Sequence, residues 1–259
     1  MKDHTYILPS RERLAVLAAL TLICGLAWAY LFSMAWGMQQ TDMGASMAIM
    51  PRMASWRPID LALVFAMWAI MMVAMMLPSA APMILLFAAV SRQIGQSRTA
   101  INVAAFVAAY VATWAAFSLV ATLMQWGLLE ARLVSPMMDE SNPMLGGGLL
   151  VAAGLYQFTP QKDACLSKCR SPLAFITAHW RRRARGAFVM GAQHGLYCLG
   201  CCWLLMLLLF VLGVMNLTWV ALLSIFVLLE KTLPPATWFK RLGGMAFIVW
   251  GIVLLAHAY

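Results

Sequence analysis

The residues best suited to chemistry lie between His194 and Trp203, in the stretch HGLYCLGCCW, where three cysteines and a histidine fall inside an apolar run. On a helix each residue turns by about 100°. With His194 at zero, Cys198 falls at about +40°, Cys201 at about −20° and Cys202 at about +80°. Cys198, Cys201 and His194 therefore share one stripe, with Cys202 beside it. Thiolate and imidazole are soft or borderline metal ligands. A rise of about 1.5 Å per residue puts His194 and Cys201 roughly 10 Å apart along the axis, too far to share one ion. Cys198 can share one with Cys201 or Cys202, and His194 can share one with Cys198. The alternative is that the thiols simply pack as small hydrophobes.

Other soft donors stand elsewhere in the chain. Met67, Met71 and Met75 are four apart, as are Met72 and Met76, in an apolar run that continues through Pro78. Met75 and Met76 are the candidate partners of the cysteines, because thioethers suit Cu(I). Cys165 and Cys169 form a C-x3-C pair beside Lys168 and Arg170. Nearby cations favour thiolate, so this pair is a candidate docking site for metal. Glu230 directly follows an apolar run, and a carboxylate at membrane depth is a functional candidate. The segment holding Met34, Met38, Met43, Met47, Met50 and Met53 could collect Cu(I) on the outer side, or could pack on the membrane surface. His179 reads as part of a solvated basic face.

These donors need a scaffold, and the composition dictates its kind. Of 259 residues, 64% are hydrophobic and only 10% charged. A soluble protein of this size cannot hide that much apolar surface. The expected fold is all-α, a polytopic transmembrane helical bundle forming a single integral membrane domain over residues 1–259. About seven spans are expected, near 14–35, 59–90, 101–126, 144–158, 187–212, 217–229 and 243–256. The first is expected to stay as an anchor rather than be cleaved. A kink or break is expected at Pro78.

Charge sets the orientation. With a cytoplasmic N-terminus, 15 of the 18 Lys and Arg residues fall in inside segments, and only Arg52, Arg57 and Arg132 fall outside. The net charge of +9 is thus topological and does not suggest nucleic acid. Under this topology Met75, Met76, Cys165, Cys169, the His194–Cys202 stretch and Glu230 all lie near the cytoplasmic face. The six cysteines do not read as a secreted disulfide framework, and Cys165 and Cys169, facing a reducing compartment, are a better candidate for metal than for a disulfide.

Several pieces together resemble an uncharacterised bacterial family of predicted metal-binding integral membrane proteins. They are Trp68-x2-Met71-Met72-x2-Met75-Met76-x-Pro78, Tyr156 to Pro160 with Lys162, and Cys165-Leu166-x2-Cys169-Arg170. Gly191, Gly200-Cys201-Cys202-Trp203 and Glu230-Lys231 complete the set. The resemblance implies metal binding. His194 and the outer methionines rest on the residue argument alone.

The functional expectation is an inner-membrane, multi-pass protein of bacteria that binds a soft transition metal and moves it or hands it over. Cu(I) is favoured and Zn(II) is second. The expected ligands are Cys198, Cys201 and Cys202 with His194, Met75, Met76 and Glu230, and Cys165 and Cys169 as the docking pair. The expected partners are the lipid bilayer and a metal chaperone or metalloenzyme. No nucleotide-binding loop is evident. The rival is a thiol-disulfide oxidoreductase using the C-x-x-C of Cys198 and Cys201. A structural or assembly subunit is the third reading.

Overall fold

The computed structural model describes residues 9–39, 57–95, 98–131, 143–214, 216–233 and 237–257. The outer methionines from Met43 to Met53 lie outside the described residues. The described secondary structure is entirely helical: α1 (Ser10–Gln39), α2 (Pro58–Gln93), α3 (Thr99–Glu130), α4 (Pro143–Tyr156), α5 (Pro160–Arg170), α6 (Pro172–His179), α7 (Arg183–Leu207), α8 (Leu209–Leu212), α9 (Leu217–Thr232) and α10 (Thr237–His257).

Local chemistry explains the boundaries. Pro58 opens α2 at a position that needs no N–H donor, and Asp60 accepts from the Arg57 backbone N–H at 3.0 Å. Thr159 caps α5 by accepting from the Lys162 N–H at 3.3 Å, with Pro160 first in the helix. Asn216 caps α9 through the Thr218 N–H at 3.2 Å.

Five helices are long and apolar enough to cross a membrane: α1, α2, α3, α7 continued through α8, and α10. The expected fourth and sixth spans appear as α4, with 14 residues, and α9, with 16. At 1.5 Å per residue these reach about 21 and 24 Å, short of a hydrocarbon core of about 30 Å. Leu22, Leu26 and Phe32 of α1, Leu119, Val120 and Leu123 of α3, and Leu242, Val249 and Ile252 of α10 are exposed. An apolar exterior of this kind is compatible with a membrane protein.

Of the kink or break expected at Pro78, the break does not occur. α2 runs unbroken for 36 residues through Pro78 and Pro82. Neighbouring helices attend to the carbonyls just before the first proline. Tyr110 of α3 donates to the Met76 carbonyl at 3.0 Å, and Ser224 of α9 donates to that of Met75 at 3.4 Å.

α2 packs on α1 and α3, α3 on α7, and α7 on α5, while α4 lies along α10. The α3–α7 contact is backbone-close, since a Cβ at Gly191 would strike the Phe106 carbonyl and one at Gly195 would strike Thr113. Met71, Met72, Met75 and Met76 of α2 are fully interior, as are Cys198, Cys201 and Cys202 of α7.

Three of the cations counted toward orientation are also interior: Lys162, Lys231 and Lys240. Lys162 pairs with Glu230 at 2.9 Å, both fully buried, and Lys240 pairs with Asp163. Arg170 adds two hydrogen bonds to the Glu230 carbonyl, at 2.8 and 2.6 Å. These contacts fasten α5 to the end of α9. Removing one partner of a buried ion pair costs roughly 3–5 kcal/mol. Glu230→Gln should therefore lower the thermal midpoint of the detergent-purified protein sharply. The Lys162→Met, Glu230→Leu double variant should recover most of the loss. A Glu230→Gln midpoint equal to wild type would show that the pair does not hold this end of the bundle.

Candidate metal centre

The centre is built where α2, α3, α7 and α9 meet and α5 closes over them. Every cysteine is a free thiol. Cys24, on α1, stands apart from the others. α7 supplies Cys198, Cys201 and Cys202, at most 1% exposed. The thiols of Cys201 and Cys202 both donate to the Cys198 carbonyl, each at 3.0 Å, which tucks them against the helix. The Cys202 sulfur also neighbours those of Cys198 and Cys201. Its Sγ lies 4.0 Å from Met76 Sδ of α2.

Cys198 has two further partners. Its Sγ shares a hydrogen bond with the Tyr110 hydroxyl at 3.0 Å and accepts one from Lys231 Nζ at 2.9 Å. Lys231 is 8% exposed and also donates to Ser79 Oγ at 2.9 Å. Tyr110, Ser79 and Lys231 were not among the expected site residues. A tyrosine in the middle of an apolar run was an available signal for the first. Lys231 was hidden by its place at a helix end, where lysines usually extend to water.

From the other side, Cys169 of α5 hydrogen-bonds the Cys201 sulfur. Cys165 lies against Gly200, where an added Cβ would come within 2.7 Å of its Sγ. Tyr156 donates to the Gly200 carbonyl at 2.5 Å, fixing the end of α4 to the same turn. Cys165 and Cys169, expected as a separate docking pair, thus continue the α7 thiols outward as half-buried residues.

The remaining expected ligands lie off this line. His194 sits among the rings of Phe106, Tyr110 and Phe175, at centroid distances of 6.1, 5.7 and 5.5 Å, and its Nδ1 has no hydrogen-bond partner among the described residues. Glu230 is held through Oε2 by Lys162. Met75 is buried, with its carbonyl toward α9. Cys202, calculated to lie beside the stripe, is central instead. α7 is enclosed by several helices, so a side chain well round the helix from His194 still points inward. Among the described residues no three His, Cys, Asp or Glu side chains form a ready metal cage. The sulfurs form a chain, Cys169–Cys201–Cys202–Cys198, with Met76 beside Cys202.

The expectation that cations favour thiolate at Cys165 and Cys169 is corrected. Burial pushes the Cys165 thiol up, and the nearby Cys201 sulfur adds to the shift. The hydrogen bond with Cys201, then burial, holds the Cys169 thiol well above its ordinary range. Lys168 and Arg170 extend elsewhere, Arg170 to the Glu230 carbonyl.

These features define a class: an all-helical bundle, apolar outside, whose interior collects thiols and a thioether around a buried cation. A model of the PpoB2 copper chaperone family matches residues 65–254, well over half of the chain. The chain belongs to this family, and membership ties it to copper handling. The match takes in every residue of the sulfur chain. No curated protein and no solved structure matches the chain.

The raised thiols make a pH prediction. Only thiolate reacts with alkylating reagents. Read peptide by peptide in the wild-type protein, with Cys201 in place, alkylation of Cys165 and Cys169 at neutral pH should be slower than that of a free cysteine. It should keep accelerating with pH beyond the free-thiol range of about 8.5. Neutral-pH rates at or above the free-thiol rate would contradict the raised values.

Proposed function

We propose that this protein holds Cu(I) as cargo in the interior of a bacterial inner-membrane helical bundle and passes it along a line of sulfurs. Cys198 and Cys202 supply thiolates, and Met76 supplies a thioether. Soft donors of this kind select Cu(I), and Cu(I) is satisfied by two or three of them. Cys201, Cys169 and Cys165 carry the ion between this site and the α5 surface. There it meets a metal chaperone or metalloenzyme partner.

The observation that carries the reading is the run of neighbouring thiols, of which Cys202 lies 4.0 Å from Met76 Sδ. Each neighbour in such a series can take the ion before the last releases it. Met67, Met71, Met72 and Met75 continue buried along α2 for about 13 Å. They support movement across the membrane as the longer form of the hand-over. Family membership supports copper over Zn(II). In this reading His194 and Glu230 are scaffold residues. The oxidoreductase alternative requires Cys198 to meet a partner dithiol. With 1% exposure and with Tyr110 and Lys231 on its sulfur, it is poorly placed to do so.

Titration of Cu(I) into anaerobic, reduced protein tests this. Cys198→Ser and Cys202→Ser should each weaken binding by more than the roughly 10- to 100-fold that loss of an outer-shell partner costs. Met76→Leu should cost less, and His194→Gln should keep wild-type stoichiometry. Full Cu(I) binding by the Cys198→Ser, Cys202→Ser double variant would sink the assignment.

A further inference from the structure

We propose that Lys231 makes this centre selective for a monovalent soft ion, Cu(I) or Ag(I), over the divalent thiophiles Zn(II) and Cd(II). The inference rests on the preceding reading that Cys198 and Cys202 are the thiolate ligands.

Lys231 is an unusual neighbour for a metal ligand. Its Nζ lies 2.9 Å from Cys198 Sγ and 2.9 Å from Ser79 Oγ, in an interior made of Met, Cys and aromatic side chains. The adjacent acid, Glu230, does not neutralise it, because its bound oxygen is committed to Lys162. Among the described residues Lys231 forms no ion pair with a carboxylate. The partner for its charge is therefore the thiolate side of the centre. It cannot easily swing away, because Lys162 and Arg170 of α5 both fix Glu230, the residue before it.

Charge counting then discriminates between ions. Two thiolates with Cu(I) carry one negative charge, which the Lys231 ammonium cancels. Two thiolates with Zn(II) or Cd(II) are neutral, which leaves the ammonium uncompensated in a dry interior, an expensive state. A third thiolate would restore balance for a divalent ion. However, no three Cys, His, Asp or Glu side chains converge among the described residues. The next thiol along the line, Cys201, is turned toward Cys169 of α5, and the other sulfur beside Cys202, Met76 Sδ, is uncharged. Softness alone cannot make this distinction, since Ag(I) and Cd(II) are both soft. Removing the lysine charge reverses the count, so the two classes of ion should move in opposite directions.

The test is competitive titration of full-length, reduced, detergent-purified protein with Cu(I), Ag(I), Zn(II) and Cd(II) salts. Wild type should take Cu(I) and Ag(I) ahead of Zn(II) and Cd(II). In Lys231→Met, Cu(I) affinity should fall and Zn(II) affinity should rise, each by at least about tenfold for a charge at this distance. Lys231→Arg should keep the wild-type order. Damage to the fold would weaken all four ions together, and that pattern in Lys231→Met and Lys231→Gln would overturn the charge role. If neither variant can be purified folded, the wild-type order still decides, because Cd(II) held as tightly as Ag(I) would refute selection by charge. Wild type that binds neither Cu(I) nor Ag(I) would overturn the copper reading and this inference with it. Wild type that binds Cu(I) beside a Lys231→Met that ranks the metals identically would overturn the role of Lys231 alone.

Discussion

A buried ammonium resting on a thiol, Lys231 Nζ against Cys198 Sγ at 2.9 Å, is the contact on which the interior turns. An isolated charge does not survive in such surroundings, so the bundle must bring partners to it. α7 brings Cys198, α2 brings Ser79, and α3 brings Tyr110 to the far side of the same sulfur. α9 delivers the lysine itself, and α5 locks that end of α9 through the Lys162–Glu230 pair and Arg170. Five helices thus meet around one charge pair. The remaining thiols and Met76 extend from it in a line.

The approach of these helices depends on small residues. α3 and α7 touch backbone to backbone because Gly191 and Gly195 carry no side chain there. Gly200 does the same for Cys165. Without these gaps the cysteines of α7 would stand away from Tyr110 and from the α5 thiols, and the sulfur chain would be broken. The raised affinity of Cys165 and Cys169 for their protons follows from the same closeness. In the proposed hand-over, copper reaching this pair must displace protons, and a burial that protects the thiols also slows their reaction with anything but a well-matched donor.

Much of the helix pattern was legible in the sequence, because long apolar runs can end only at charged or proline-bearing links. The five longest helices lie where those runs lie. Whether α4 and α9 cross the membrane was not legible, since apolar composition marks burial as well as membrane crossing. The continuity of α2 through Pro78 was also hidden. Tyr110 and Ser224 reach the nearby Met76 and Met75 carbonyls from helices distant in sequence. Within the centre, helical periodicity placed Cys198 and Cys201 together, and the charge-derived topology put Met75 and Met76 at the same depth. It misjudged Cys202, because periodicity describes one helix and not how many neighbours enclose it. Tyr110 and Lys231 lie 88 and 33 residues from Cys198, so no local spacing connects them. Cys165 and Cys169 read as a separate docking pair, whereas α5 folds back on α7 and brings Cys169 to the same sulfurs.

The central claim is that copper sits among sulfurs alone, away from His194 and Glu230. X-ray absorption at the copper edge of the Cu(I)-loaded, reduced protein tests it most directly. The expected result is a first shell of two or three sulfurs with no nitrogen or oxygen scatterer, unchanged in His194→Gln. A shell containing an imidazole nitrogen or a carboxylate oxygen would contradict it.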